Sequence, residues 1–257
     1  MKIETAQQLA DACRDAVTHR SLYVYGCFGA PMTAENQDRA IRAYAYNRSL
    51  SRQRKIRAAT PDTFGFDCSG LIKGLLWGWE ADASKAHGGA VYGSNHVPDQ
   101  NADTIIGCCS DVSEDFGTVL AGEAVWLPGH IGVYIGDGLA VESSPKWGDG
   151  VQVTACNCKK EDYPTRNWKK HGKLPYVIYE EPCSVVLPAL HRGMTGETVK
   201  SLQRMLFAMG YPIGSKNPVD GSFGPKTESA VCSFQQEKGL DVNGRVETST
   251  WKALLGV

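Results

Sequence analysis

At 257 residues, with 42% hydrophobic and 21% charged residues, the chain has an ordinary globular composition and room for one large domain or two smaller ones. A formal net charge of −1 excludes wholesale electrostatic binding to nucleic acid or anionic lipid. No stretch approaches the ~20 apolar residues of a membrane span, and residues 1–8 lack the apolar run of a secretory signal. Synthesis in the cytoplasm without a signal peptide or membrane insertion is the expectation. Nine cysteines, odd in number and irregular in spacing, argue against a disulfide framework and for a reducing compartment. Cys108-Cys109 and Cys156-Asn157-Cys158 lack the CxxC spacing of a zinc site, so all but Cys68 read as buried, inert thiols.

Along the chain, Thr5 caps a predicted helix running to Thr18, with Leu9, Ala12, Cys13, Ala16 and Val17 on one face. Residues 21–29 follow, containing Tyr23-Val24-Tyr25-Gly26. Next comes an insert at 31–62, predicted helical, whose distal half is basic: Arg39, Arg42, Arg48, Arg52, Arg54, Lys55 and Arg57. It reads either as a solvated helix face or as a lobe that approaches an anionic polymer. Cys68 opens an apolar helix through Leu71, Ile72, Leu75, Leu76 and Trp77. Residues 80–120 hold short helices and loops. Strands are predicted at 123–127, 130–135, 139–143, 150–154 and 176–179. Helices first and strands later make an α+β domain over residues 1–180. A Pro-bearing linker at 181–189 leads to a helical domain at 190–257. That domain repeats itself: Gly221, Phe223, Thr227 and Ala230 are echoed by Gly244, Val246, Thr250 and Ala253.

The chemistry concentrates in Phe66-Asp67-Cys68-Ser69-Gly70 and in the segment that starts at Gly129-His130-Ile131-Gly132. A thiol hydrolase needs a nucleophile and a base, and Cys68 and His130 supply them. A thiol at a helix start is expected to have a lowered pKa, because unpaired amides and the helix dipole favour the thiolate. Gly70 leaves the backbone beside the thiol open, and the Cys68 amide is a candidate oxyanion donor. For the third member, a three-residue loop Gly136-Asp137-Gly138 pairs Ile135 with Leu139, Val133 with Val141 and Gly132 with Glu142. Glu142 then shares a sheet face with His130 as its diagonal neighbour, within reach of its ring. A two-residue loop places Glu142 on the opposite face. His19, His87, His96, His171 and His191 lack such context. From the residues alone, Tyr23 reads as core packing and Asp67 as a cap of the Cys68 helix. Trp126 and Trp147 are candidates for a groove wall or for the core.

These motifs resemble the NlpC family of bacterial cell-wall cysteine peptidases, which have a compact papain-like fold. Tyr23-Val24-Tyr25-Gly26-Cys27 partly matches the family's Tyr-x-Trp-Gly-Gly, and the Asp-Cys-Ser-Gly and His-Ile-Gly motifs are intact. The resemblance covers residues 1–180 and implies Cys68 as nucleophile and His130 as base. The family's third residue is commonly His, Asn or Gln; here the matching position is Glu142. The resemblance further implies that Tyr23, Asp67 and Ser69 contact a peptide stem. Residues 190–256 resemble the three-helix peptidoglycan-binding domain of many wall hydrolases, through Val199 to Leu206, Gly210-Tyr211, Asp220 to Gly224, Phe234-Gln235 and Thr250-Trp251. There Leu202, Leu206, Phe223, Phe234 and Trp251 are expected in the core. Together the two resemblances imply a peptidoglycan hydrolase cutting the D-γ-glutamyl to diamino acid bond, without metal or cofactor. With no signal peptide, they suggest a phage endolysin released through a holin, its partner being bacterial peptidoglycan. An N-acetylmuramoyl-L-alanine amidase on the same scaffold and a non-catalytic wall-binding protein remain open alternatives.

Overall fold

The computed structural model describes residues 2–179, 187–214 and 218–256. The chain divides into two compact units, residues 1–181 and 182–257. Most of the expected linker, residues 181–186, lies outside the described residues.

The first unit is α+β. Helix α1 (Ala6–Thr18) starts at Thr5, whose hydroxyl accepts the Gln8 amide while the Gln8 side chain returns to the Thr5 amide. This reciprocal cap satisfies two otherwise orphaned donors. Strands β1 (Ser21–Tyr23) and β2 (Phe28–Pro31) come next. The basic insert forms α2 (Ala34–Ala43) and α3 (Leu50–Ala58). Strand β3 (Phe64–Phe66) lies between β1 and β2 in a three-stranded sheet and runs directly into α4 (Cys68–Leu76). Every residue of α4 is buried, so the nucleophile candidate opens the helix at the centre of the unit.

After α5 (Ala102–Cys108) the chain builds β4 (Ser110–Ser113), β5 (Ala124–Leu127), β6 (His130–Gly136), β7 (Leu139–Ser144), β8 (Gly150–Cys156), β9 (Thr165–Arg166) and β10 (Lys170–Lys173). They form one sheet in the order β4-β10-β5-β6-β7-β8-β9. Only the β8–β9 pairing in it is parallel. Leu9 and Cys13 of α1, Leu71, Ile72 and Leu75 of α4, and Ile131, Val133 and Val141 of the sheet share one apolar core.

Two sequence expectations are corrected. Residues 176–179 form no strand; Ile178 makes a single bridge to Thr5, and the sheet takes Lys170–Lys173 instead. The β6–β7 register also differs. Gly136, not Ile135, pairs with Leu139, while Val133 pairs with Val141 as expected. The turn is the two residues Asp137-Gly138, both at positive φ (53° and 71°). That is the twist a tight two-residue hairpin requires. Ile135 is extruded as a bulge, and this extra residue reverses the face alternation. The two-residue turn that alone carries Glu142 away from His130 is therefore compensated one residue upstream.

The second unit holds α6 (Glu197–Ala208), α7 (Pro225–Glu237) and α8 (Thr248–Leu255). Their core contains Leu202, Leu206, Phe223, Phe234 and Trp251. Among the described residues, no helix is long and apolar enough to cross a membrane.

Candidate active site

Asp67 caps α4. Its Oδ1 accepts the Gly70 amide at 2.6 Å and the Ser69 hydroxyl at 3.2 Å, and its Oδ2 accepts the Gly26 amide at 2.7 Å. Both carboxylate oxygens therefore serve the backbone, tying the helix start to the turn after Tyr23. Gly70 has a different use from the one expected. A Cβ there collides with the Cys27 carbonyl, so the glycine lets the helix approach that turn.

The Cys68 thiol is buried. Contrary to expectation, its pKa is not lowered. Burial pushes it up to about 11, the Asp67 carboxylate adds to the rise, and the amides of Ile131, Ser69 and Cys68 itself only partly offset it. At neutral pH the unliganded thiol keeps its proton.

His130 and Glu142 are brought together: Nε2 and Oε2 lie 2.5 Å apart, with Glu142 fully buried. Arg166, which the sequence reading missed, grips the same carboxylate with Nε to Oε1 at 2.9 Å and Nη2 to Oε2 at 2.6 Å. Burial opposes ionisation of Glu142, but the hydrogen bonds from His130 and Arg166 prevail and hold its pKa below the ordinary value. An ionised carboxylate only accepts, so imidazole Nε2 donates to Glu142, and Nδ1 is the ring nitrogen left without a hydrogen-bond partner. Trp168 stacks on the imidazole, ring centroids 5.5 Å apart and planes within 5°.

Tyr23 is buried one strand away. Its phenol is raised well above the ordinary range by burial first, then by Cys68 and Asp67, which places it in their electrostatic field. The insert braces this segment. Arg52 hydrogen-bonds the Tyr23 carbonyl and pairs with Asp149 at 2.7 Å, and buried Asn47 holds the Tyr25 backbone from both sides, at 3.2 and 2.9 Å. Arg52 is thus neither a solvated face nor free for an anionic polymer. A polar cavity of about 320 Å³ opens on the flank of α4, lined by Asp67, Ser69, Lys73, Tyr25, Tyr44 and Asp99 among others. Asp67 and Ser69, on either side of Cys68, reach it; Cys68 does not.

A second histidine–glutamate pair, His171 Nδ1 with Glu123, is also buried. Its Nε2 meets the Asp115 carbonyl at 3.0 Å, so both ring nitrogens are occupied and the pair braces the sheet. Trp126 donates to Asp103, and Trp147 is half exposed beneath the Arg166 guanidinium. Among the described residues, no group of three or more His, Cys, Asp or Glu is placed to hold a metal ion.

Residues 195–254 match a family model described as "Putative peptidoglycan binding domain". Over 65 residues, 25% of the chain, it is 43% identical to a Bacillus licheniformis protein named "Probable N-acetylmuramoyl-L-alanine amidase", of which it covers 18%. The chain spans a quarter or less of the length of the first curated relatives it matches. Among solved structures, it is similar to a Burkholderia AP3 phage endolysin (34% identity, 26% of this chain and 24% of that one, TM-score 0.24). It is also similar to NlpC2 from Trichomonas vaginalis (17% identity, 66% of this chain and 46% of that one, TM-score 0.36).

Proposed function

We propose that the chain is a peptidoglycan hydrolase of the endolysin kind, cutting an amide of the stem peptide through an acyl-thioester on Cys68. The observation that carries this reading is the buried Glu142–His130 pair with one imidazole nitrogen left open, on a strand whose next residue, Ile131, shares the apolar core with Cys68. His130 Nδ1 takes the thiol proton as sulfur attacks the carbonyl carbon. The imidazolium then protonates the leaving amine as the C–N bond breaks. Water, deprotonated by His130, hydrolyses the thioester and restores the thiol. A thiol held up to about 11 fits this order, since the proton leaves during attack and not before it. The bond we assign is D-γ-glutamyl to diamino acid. The cavity beside Asp67 and Ser69 is the pocket for the preceding stem residues. The match at residues 195–254 supports wall attachment, which raises the enzyme's local concentration on its polymer.

Mass spectrometry of fragments released from purified peptidoglycan by the full chain and by Cys68→Ala tests this reading. Fragments ending at D-γ-glutamate, absent with the variant, are expected. Glycan chains stripped of intact stems transfer the mechanism to the N-acetylmuramoyl-L-alanine amide. Wall binding by both proteins without release leaves only a binding protein.

A further inference from the structure

Arg166 closes β9 and Trp168 follows two residues later, and each touches one half of the His130–Glu142 pair. The guanidinium takes both Glu142 oxygens, and Oε2 is shared between Arg166 and His130. Arg166 Nη2 continues to Ser144 Oγ at 3.1 Å, and the guanidinium lies over the Trp147 ring at 4.5 Å. Arg166 is itself largely buried, its side chain 13% exposed. A two-pronged Arg–carboxylate pair of this kind fixes orientation as well as charge.

The charge has a consequence for the base. A carboxylate facing an imidazole alone stabilises the imidazolium strongly. Glu142 gives up part of that effect, because a guanidinium already neutralises it and competes for Oε2. A thiol that keeps its proton needs a neutral imidazole to take it. We propose, on the thiol-hydrolase reading above, that Arg166 is a positioning residue that aims Glu142 at His130 and, by competing for Oε2, weakens the hold of that carboxylate on the imidazole proton.

Other ionisable groups on the packed elements have partners of their own: Lys73 of α4 pairs with Asp99, and Asp11 and Asp15 of α1 with Arg14 and His19. Cys68 and Tyr23 hold their protons in the neutral range. Asp67 of α4 is tied to the Gly26 and Gly70 amides. Asp103 of α5 accepts the Gly129 amide at 2.9 Å. Lys146 lies over Trp147 at 4.3 Å, and Arg14 of α1 meets β6 at the Ile135 carbonyl, toward the other end of the strand from His130. None of these replaces the guanidinium at Glu142.

The test needs no wall substrate. The rate at which iodoacetamide alkylates Cys68 is followed against pH in the full chain, with peptide mapping to isolate that cysteine. Wild type is expected to gain reactivity through an inflection well below the range of a lone buried thiol. Arg166→Gln is expected to move this inflection upward by about one pH unit. Glu142→Gln, which leaves the guanidinium unopposed, is expected to move it downward. Arg166→Lys, which keeps the charge, is expected to move it by less than half as much as Arg166→Gln. A wild-type inflection that Arg166→Gln leaves in place, or that both charge-removing variants move the same way, overturns the role of Arg166. Should Arg166→Gln not fold, an unmoved or rising inflection in Glu142→Gln does so. A wild-type rate that climbs only toward about 11, as for a lone buried thiol, instead overturns the catalytic reading itself.

Discussion

The N-terminal unit and the C-terminal unit both bury polar side chains, and they finish them differently. In the C-terminal unit the sequence echo has a physical basis. Gln203 donates through Nε2 to Asp220 Oδ1 at 2.8 Å, to the Ser222 carbonyl at 3.0 Å and to Thr227 Oγ1 at 3.2 Å, and its Oε1 accepts the Gly221 amide at 2.8 Å. Gln235 repeats the arrangement with Asn243 Oδ1 at 3.1 Å, the Arg245 carbonyl at 2.8 Å, Thr250 Oγ1 at 3.1 Å and the Gly244 amide at 3.0 Å. Each amide ties a helix to a glycine turn and to the threonine of the next helix, with donor and acceptor both used. The His171–Glu123 pair is closed in the same way. The His130–Glu142–Arg166 cluster leaves imidazole Nδ1 open on the side away from the carboxylate. A closed polar network stabilises a fold; one that leaves an imidazole nitrogen open can do chemistry.

Substitutions break this contrast from either side. The largest effect is expected from Cys68→Ala, which removes the nucleophile and lowers turnover by on the order of 10³-fold or more, with little change in thermal melting. Fragment-release rates and a melting curve check both halves. Glu142→Gln removes the negative charge that faces His130, leaving only a neutral amide acceptor, and leaves Arg166 buried without its counter-charge. It is expected to lower kcat/KM by about 10²- to 10⁴-fold and stability by about 3–5 kcal/mol. Kinetics on a soluble stem peptide and a urea titration separate the two losses.

Gln203→Ala and Gln235→Ala are expected to behave oppositely. Each strands buried donors and acceptors at about 1–3 kcal/mol per group, while cleavage of a soluble stem peptide stays at the wild-type rate. Unfolding monitored within the C-terminal unit, paired with that assay, checks this. A smaller effect comes from acid. Glu142 is held below its ordinary 4.5 in the folded chain, so its contribution is present above that value and is lost as pH falls through the lower folded pKa. Stability measured by urea titration is expected to decline below about pH 4.5, and to decline less in Glu142→Gln.

Much of the framework was legible because local rules agreed with the final fold. Thr5, the apolar face of α1, the helix at Cys68 and the strands at 130 and 139 follow from capping and periodicity. The juxtaposition of His130 and Glu142 was expected through a loop of the wrong length; the bulge at Ile135 depends on neighbouring strands, and nothing in the hairpin's own residues marks it. Arg166 escaped notice because β9 is two residues long and has no periodic pattern. The strand at Lys170–Lys173 is short and polar, so its pairing with β4 and β5 outweighs its composition. The raised pKa of Cys68 was missed because helix position was weighed without burial. Arg52 and Asn47 read as part of a basic insert, although their partners lie 97 and 22 residues away.

The central claim is that Cys68 carries the acyl group during hydrolysis. The most direct measurement mixes the full chain with a soluble stem muropeptide, quenches the reaction in acid within its first turnovers and maps the protein by mass spectrometry. The account predicts the acyl portion of the cleaved stem attached to the Cys68 peptide, and no cleavage by Cys68→Ala. Stem cleavage that persists in Cys68→Ala, with no acyl group on Cys68 in the wild type, would contradict it.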